Sequence, residues 1–124
     1  PPSDVRDLMA AADVFAMPSL HEGMSLTLLE ALAAGLPVIE SSITAQAEVL
    51  QPGGTDPVGI LHDPSDRSGL ASALQQLTSN EPLRREYARR SLARSEDFSI
   101  TRMVDRYESL ILRSAPAGAT SRGP

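Results

Sequence analysis

Residues 14–41 read VFAMPSLHEGMSLTLLEALAAGLPVIES, and three patterns succeed one another within them. Val14 to Met17 is a short apolar run stopped by Pro18 and Ser19, the mark of a buried strand. Leu20 to Gly23 form a loop, and a helix of about ten residues starts near Met24 or Ser25. Gly35 suits the position just past that helix, where the chain must turn left-handed, and Pro37 prevents continuation. Val38 to Ser41 then reads as a second buried strand. Strand, helix and strand on short connections make a right-handed crossover within a parallel sheet. The stretch therefore predicts an α/β fold, a Rossmann-like parallel sheet flanked by helices.

The flanks extend the same pattern. Ser3 or Asp4 can cap a helix carrying Val5, Leu8, Met9 and Ala12 at helical spacing. Ala45 to Leu50 can form a short helix, Gln51 to Pro57 a Pro/Gly loop, and Val58 to Leu61 a small strand. After the turn Asp63-Pro64-Ser65-Asp66, the residues Leu70, Ala73, Leu74 and Leu77 mark an amphipathic helix. Pro82 stands near the start of another, with Leu83, Tyr87 and Leu92. Ser99 can cap the last helix, whose stripe is Ile100, Met103, Val104, Tyr107 and Ile111. One domain is expected over residues 1–113, with a disordered Ala/Pro/Gly/Ser tail over 114–124.

Composition narrows the function. The chain has 124 residues, enough for one domain at roughly 100 to 200 residues per domain. Hydrophobic residues make up 41% and charged residues 22%, so it has the makings of a globular core. A net charge of -5 and only four aromatic residues, Phe15, Phe98, Tyr87 and Tyr107, argue against nucleic-acid binding. All eleven basic residues are Arg, which removes Schiff-base chemistry and a phosphate-binding lysine from this stretch. Without Cys there is no disulfide, thiolate nucleophile or Cys-based zinc site. The longest apolar run, Ala31 to Ile39, falls far short of the ~18 residues of a membrane span, and a cytoplasmic location is expected. The chain opens at Pro1 on what reads as the approach to a helix, so it is expected to be cut from something longer.

Chemistry concentrates where the first strand ends and the next helix begins, the place where open parallel sheets bind ligands. Leu26, Leu28, Leu29, Ala31, Leu32 and Ala33 cover most of that helix, so it is expected to be largely buried. Thr27, Glu30 and Ala34 form its one polar line. A carboxylate there needs a partner. That partner is an Arg or backbone amide of the fold, or else the hydroxyls of a ligand whose phosphate sits on the free amides of Gly23 to Leu26. Glu22 lies in the loop, and Gly23 permits close approach to a bound group.

The run P-S-x-x-E-G-x-S-L-x-x-L-E-A-x-A-x-G-x-P-V, Pro18 to Val38, resembles the donor-binding signature of retaining GT-B glycosyltransferases, family 4 especially. The resemblance continues through Pro64-x-Asp66-x-x-x-Leu70-Ala71-x-Ala73-Leu74 and Phe98-Ser99, covering Asp4 to Leu112. It implies the partial C-terminal half of a GT-B fold and transfer of sugar from a nucleotide-diphosphate donor, with retention of configuration and no metal or other cofactor. By position it implies that Glu22, the catalytic candidate, contacts the transferred sugar. Gly23, Met24, Ser25 and Leu26 then approach sugar and distal phosphate, and Glu30 holds the ribose. His21, Ser19 and Thr27 are subsidiary donor candidates.

Two departures stand out. Where the family usually has a Gly-Gly pair four residues before a Glu, this chain has Thr44-Ala45 before Glu48, which bears on the shape of the sugar pocket. The family's diphosphate-neutralising Arg and Lys and its N-terminal acceptor domain lie upstream of the matched stretch, so these residues by themselves are expected to be inactive. Glu48 either orients the loop after the second strand or faces water, and His62 reads as structural. The Arg84, Arg85, Arg89, Arg90 and Arg94 cluster could touch anionic lipid at a membrane periphery, or an acidic partner. With Glu81, Glu86 and Glu96 interspersed, it reads more simply as a solvated face with local ion pairs. The alternatives from other classes are a noncatalytic nucleotide-binding or interaction module and a nucleotide-sugar epimerase.

Overall fold

The computed structural model describes residues 4–54 and 56–114. Three parallel strands, β1 (Phe15–Met17), β2 (Val38–Ser41) and β3 (Ile60–His62), stand in the order β1-β2-β3. Around them lie α1 (Val5–Ala11), α2 (Leu26–Ala33), α3 (Thr44–Leu50), α4 (Arg67–Ser79), α5 (Glu81–Ser95) and α6 (Ile100–Ser114). Short 3₁₀ turns occupy Pro52–Gly54 and Glu96–Phe98.

All four residues of the central strand β2 are buried. Because side chains alternate across a strand, its residues divide between two cores. Val38 packs with Leu28, Ala31 and Leu32 of α2 and with Val49 and Leu50 of α3. Ile39 packs on the other face with Ala73 and Leu77 of α4, joined by Leu83 and Tyr87 of α5. A strand covered on both faces has to be nearly continuous in apolar character, which is why Val38-Ile39 was legible as strand.

Local chemistry ends the elements where the sequence predicts. Ser25 caps α2, its Oγ accepting from the Leu28 N–H at 3.3 Å. Gly35 has φ +71, and the paired bonds Leu36 N to Ala31 O and Gly35 N to Leu32 O close the helix as a Schellman motif. Asp4 caps α1 through the Arg6 N–H; Ser3 lies outside the described residues.

Several expectations need correction. The third strand is Ile60–His62, not Val58–Leu61. The Val58 N–H is taken by Leu50 O at 2.7 Å, outside the ladder, while His62 O accepts from the Ser42 N–H at 2.8 Å. Helix α2 is buried along Leu28, Ala31 and Leu32 only; Leu26 is 75% exposed and Ala33 is exposed too. The stripe on α6 exists, yet no residue of that helix is buried. Ser114, assigned to the tail, is the last residue of α6, and 115–124 lie outside the described residues.

Candidate functional site

The C-terminal ends of the three strands carry the loop from Pro18 to Ser25, the start of α3, and His62. Glu22 is exposed, and one of its oxygens accepts from Ser19 Oγ at 3.1 Å. His21, Gly23 and Met24 are exposed as well. Among the described residues no acceptor pairs with the backbone N–H groups of Gly23, Met24, Ser25 and Leu26. These amides lie in the loop and first residue at the positive end of α2, a place suited to an anionic group.

Ser25 itself is buried and structural. Besides capping α2 it donates from Oγ to Met17 Sδ at 3.8 Å, which ties the helix start to the end of β1. Thr27, Glu30 and Ala34 form a wholly exposed line along α2. The expectation of a buried carboxylate demanding a partner therefore fails for Glu30: it stands in solvent, with no partner among the described residues. No arginine locks either acid, since every ion pair among the described residues lies between Glu81 and Arg102. Glu22 and Glu30 thus sit on one loop-helix unit with their oxygens open to a ligand. A hollow of about 700 Å³ lies elsewhere, between β3 and α4, lined by His62, Asp63, Asp66 and Gly69 among others.

Two residues of this region escaped the sequence reading. Gln46 of α3 is buried and donates from Nε2 to Gly23 O at 3.2 Å, holding the loop from below. Glu40 of β2 is 0% exposed, and neither carboxyl oxygen has a hydrogen-bond partner. Burial first, and the negative charge of Glu22 second, push its pKa from 4.5 up to about 8, against a weaker pull from the Ser41 amide. The signal was present in the sequence: an acid inside Val38-Ile39-Glu40-Ser41, a strand read as buried.

The other candidates resolve plainly. His62 is buried with Nδ1 at 2.9 Å from Asp63 O, and Glu48 is exposed on α3. The arginine cluster is more than a solvated face. Arg85 and Arg89 pair with Glu81 and Glu86, but Arg84 donates to Leu77 O, Arg90 to Pro57 O, and Arg94 to Val49 O and Glu48 O. Three of the five guanidiniums therefore fasten α5 to other elements.

A family model described as glycosyl transferases group 1 matches residues 2–80. The chain is 32% identical over 114 residues to the O-antigen chain mannosyltransferase B of Escherichia coli, covering 89% of this chain and 29% of that protein. It is 37% identical over 114 residues to a D-inositol 3-phosphate glycosyltransferase of Corynebacterium urealyticum, covering 89% and 26%. In structure it is similar to sucrose-phosphate synthase of Thermosynechococcus elongatus, with TM-score 0.68, 28% identity and coverage of 86% and 27%. The chain spans less than a third of the length of each of these proteins. Among the described residues no helix is long and apolar enough to cross a membrane.

Proposed function

The chain belongs to the glycosyl transferases group 1 family, and from that premise we propose that it forms the donor-binding part of a retaining, metal-independent glycosyltransferase. The observation that carries the reading is the loop after β1: an exposed Glu22, then backbone amides without acceptors, at the capped start of α2 and at the C-terminal edge of a parallel sheet. In this reading the amides of Gly23 to Leu26 receive the distal phosphate of a nucleotide-diphosphate sugar. Glu22, held by Ser19, accepts from hydroxyls of the sugar, and Glu30 from those of the ribose. His21 and Thr27, both exposed, stand beside these groups on the same loop and helix start.

Bond breaking at the anomeric carbon leaves negative charge on the diphosphate, and fixed amide dipoles lower its cost because they need no reorganisation. Glu22 orients the sugar and offsets positive charge as it develops on the ring. The cationic clamp and the acceptor site come from outside these residues, in an N-terminal domain. Cytoplasmic residence goes with this reading. Membrane contact through the Arg84 to Arg94 cluster does not, because each of its guanidiniums already has a partner within the chain.

The test is Glu30→Ala in the full-length transferase that carries both domains. A charge-assisted hydrogen bond of roughly 1.5 to 3 kcal/mol corresponds to a rise in donor KM of about one to two powers of ten. An unchanged donor KM in a folded variant counts against the assignment, and isothermal titration with nucleoside diphosphates checks binding directly.

A further inference from the structure

Glu40 is the one fully buried acid of the region, and the donor-binding reading gives it no task. Pleat alternation turns its side chain to the Val38 side of the sheet, the side covered by α2 and α3. Its register partners there are Met17 of β1 and Leu61 of β3. Two neighbours on that side reach up to the loop: Met17 Sδ accepts from Ser25 Oγ, and Gln46 Nε2 donates to Gly23 O. Glu40 therefore lies beneath the segment from Glu22 to Ser25, as part of its floor.

Among the described residues no counter-charge serves it. Glu22 is the charge that acts on it from the loop. On α2 and α3 the ionisable side chains are Glu30 and Glu48, both exposed and both acidic. β1 contributes none, and His62 of β3 stands in register with Ser41, on the opposite face. Arg94 of α5 reaches the carbonyls of Glu48 and Val49 and the carboxylate of Asp97, not Glu40. A carboxyl so placed, without a cation and with only the weaker pull of the Ser41 amide, favours its protonated form.

We propose that Glu40 is a positioning residue for Glu22: protonated, it is a neutral floor for the Glu22–Ser25 segment, and on ionisation it repels Glu22 and loosens the loop that presents it to the donor. The inference rests on the donor reading of Glu22 for its enzymatic consequence, but not for the coupling between floor and loop. Glu40 is not a catalytic residue, since its side chain is fully buried. Its effect is on the donor step, falling on donor KM more than on kcat.

The experiment follows the full-length transferase, with both domains, from pH 6.5 to pH 9 in two readouts. In the wild type the Gly23 amide resonance titrates with a midpoint near 8, and donor kcat/KM falls between pH 7 and pH 9, by up to about tenfold, the limit set by the protonated fraction of one group. Glu40→Gln, neutral and isosteric, retains most of kcat/KM at pH 6.5 and removes both the titration and the alkaline fall. Glu40→Met, neutral and of similar length, does the same, so that charge and not one amide is responsible. A Gly23 titration that persists in Glu40→Gln overturns the proposal whatever the kinetics do, and so does an alkaline fall identical in all three proteins. Glu22→Gln separates the two claims: an unchanged donor KM there overturns the donor reading alone.

Discussion

Burial of Glu40 makes the stability of the fold depend on pH in a direction opposite to that of most carboxylates. In the unfolded chain the group titrates at its ordinary value of 4.5, while in the fold burial raises it to about 8. Between these values the folded state holds a proton that the unfolded state has released, so stability falls as pH rises. The contribution is complete below 4.5 and lost on passing through about 8. The limiting slope is about 1.4 kcal/mol per pH unit, and it flattens as the folded-state value is approached, leaving about 2 kcal/mol of loss between pH 6 and pH 8. Urea unfolding followed by far-UV circular dichroism at pH 6, 7 and 8 measures it, with Glu40→Gln as reference. Burying the amide has its own cost, but that cost is independent of pH, and every other ionisable group is common to the two proteins. The gap between the two profiles therefore isolates the carboxyl. It should open by about 2 kcal/mol in favour of Glu40→Gln as pH rises from 6 to 8. Parallel profiles would refute the claim that Glu40 is buried as the acid.

Two further substitutions test how the elements are joined. Ser91 is buried on α5 and donates from Oγ to Leu36 O at 2.7 Å, so Ser91→Ala leaves that carbonyl without its partner and should cost about 1 to 3 kcal/mol in urea unfolding. At Gly59 an added Cβ would stand 2.7 Å from Val38 O, a backbone atom that can yield only by moving β2; Gly59→Ala should lower stability by about 1 to 3 kcal/mol or more. Gly23→Ala makes the contrast, since a Cβ there meets nothing within 4 Å, and its effect on unfolding should stay within about 0.5 kcal/mol.

Much of the fold could be read from residues close together in sequence. Ser25 at the cap, Gly35 at the left-handed turn and Pro37 just beyond bound α2 by local chemistry, and the two strands beside it follow from short apolar runs. What could not be read depends on which surfaces other elements cover. Helical periodicity places Thr27, Glu30 and Ala34 on one line, but it does not say that Leu26 and Ala33 are uncovered too, and so it overstated the cost of the Glu30 charge. The start of β3 was misplaced because Val58, apolar and β-branched, spends its N–H on Leu50 O and not on the sheet. Gln46 gave no signal, since its value lies in reaching Gly23, which is 23 residues away in the chain. Glu40 did give one: a charged residue in a doubly covered strand is worth a question even when its neighbours read plainly.

The Arg94 fork has a consequence for how the molecule opens locally. The guanidinium lies 4.7 Å over the Phe98 ring, pairs with Asp97, and grips the Val49 and Glu48 carbonyls at the end of α3, where that helix has no basic residue of its own. α3 has only seven residues, too few to persist unaided, so its fraying is coupled to that of the fifteen-residue α5. The two helices should exchange their amide hydrogens as one cooperative unit. Through Gln46, which donates to Gly23 O, the loop that carries Glu22 is tied to the same unit.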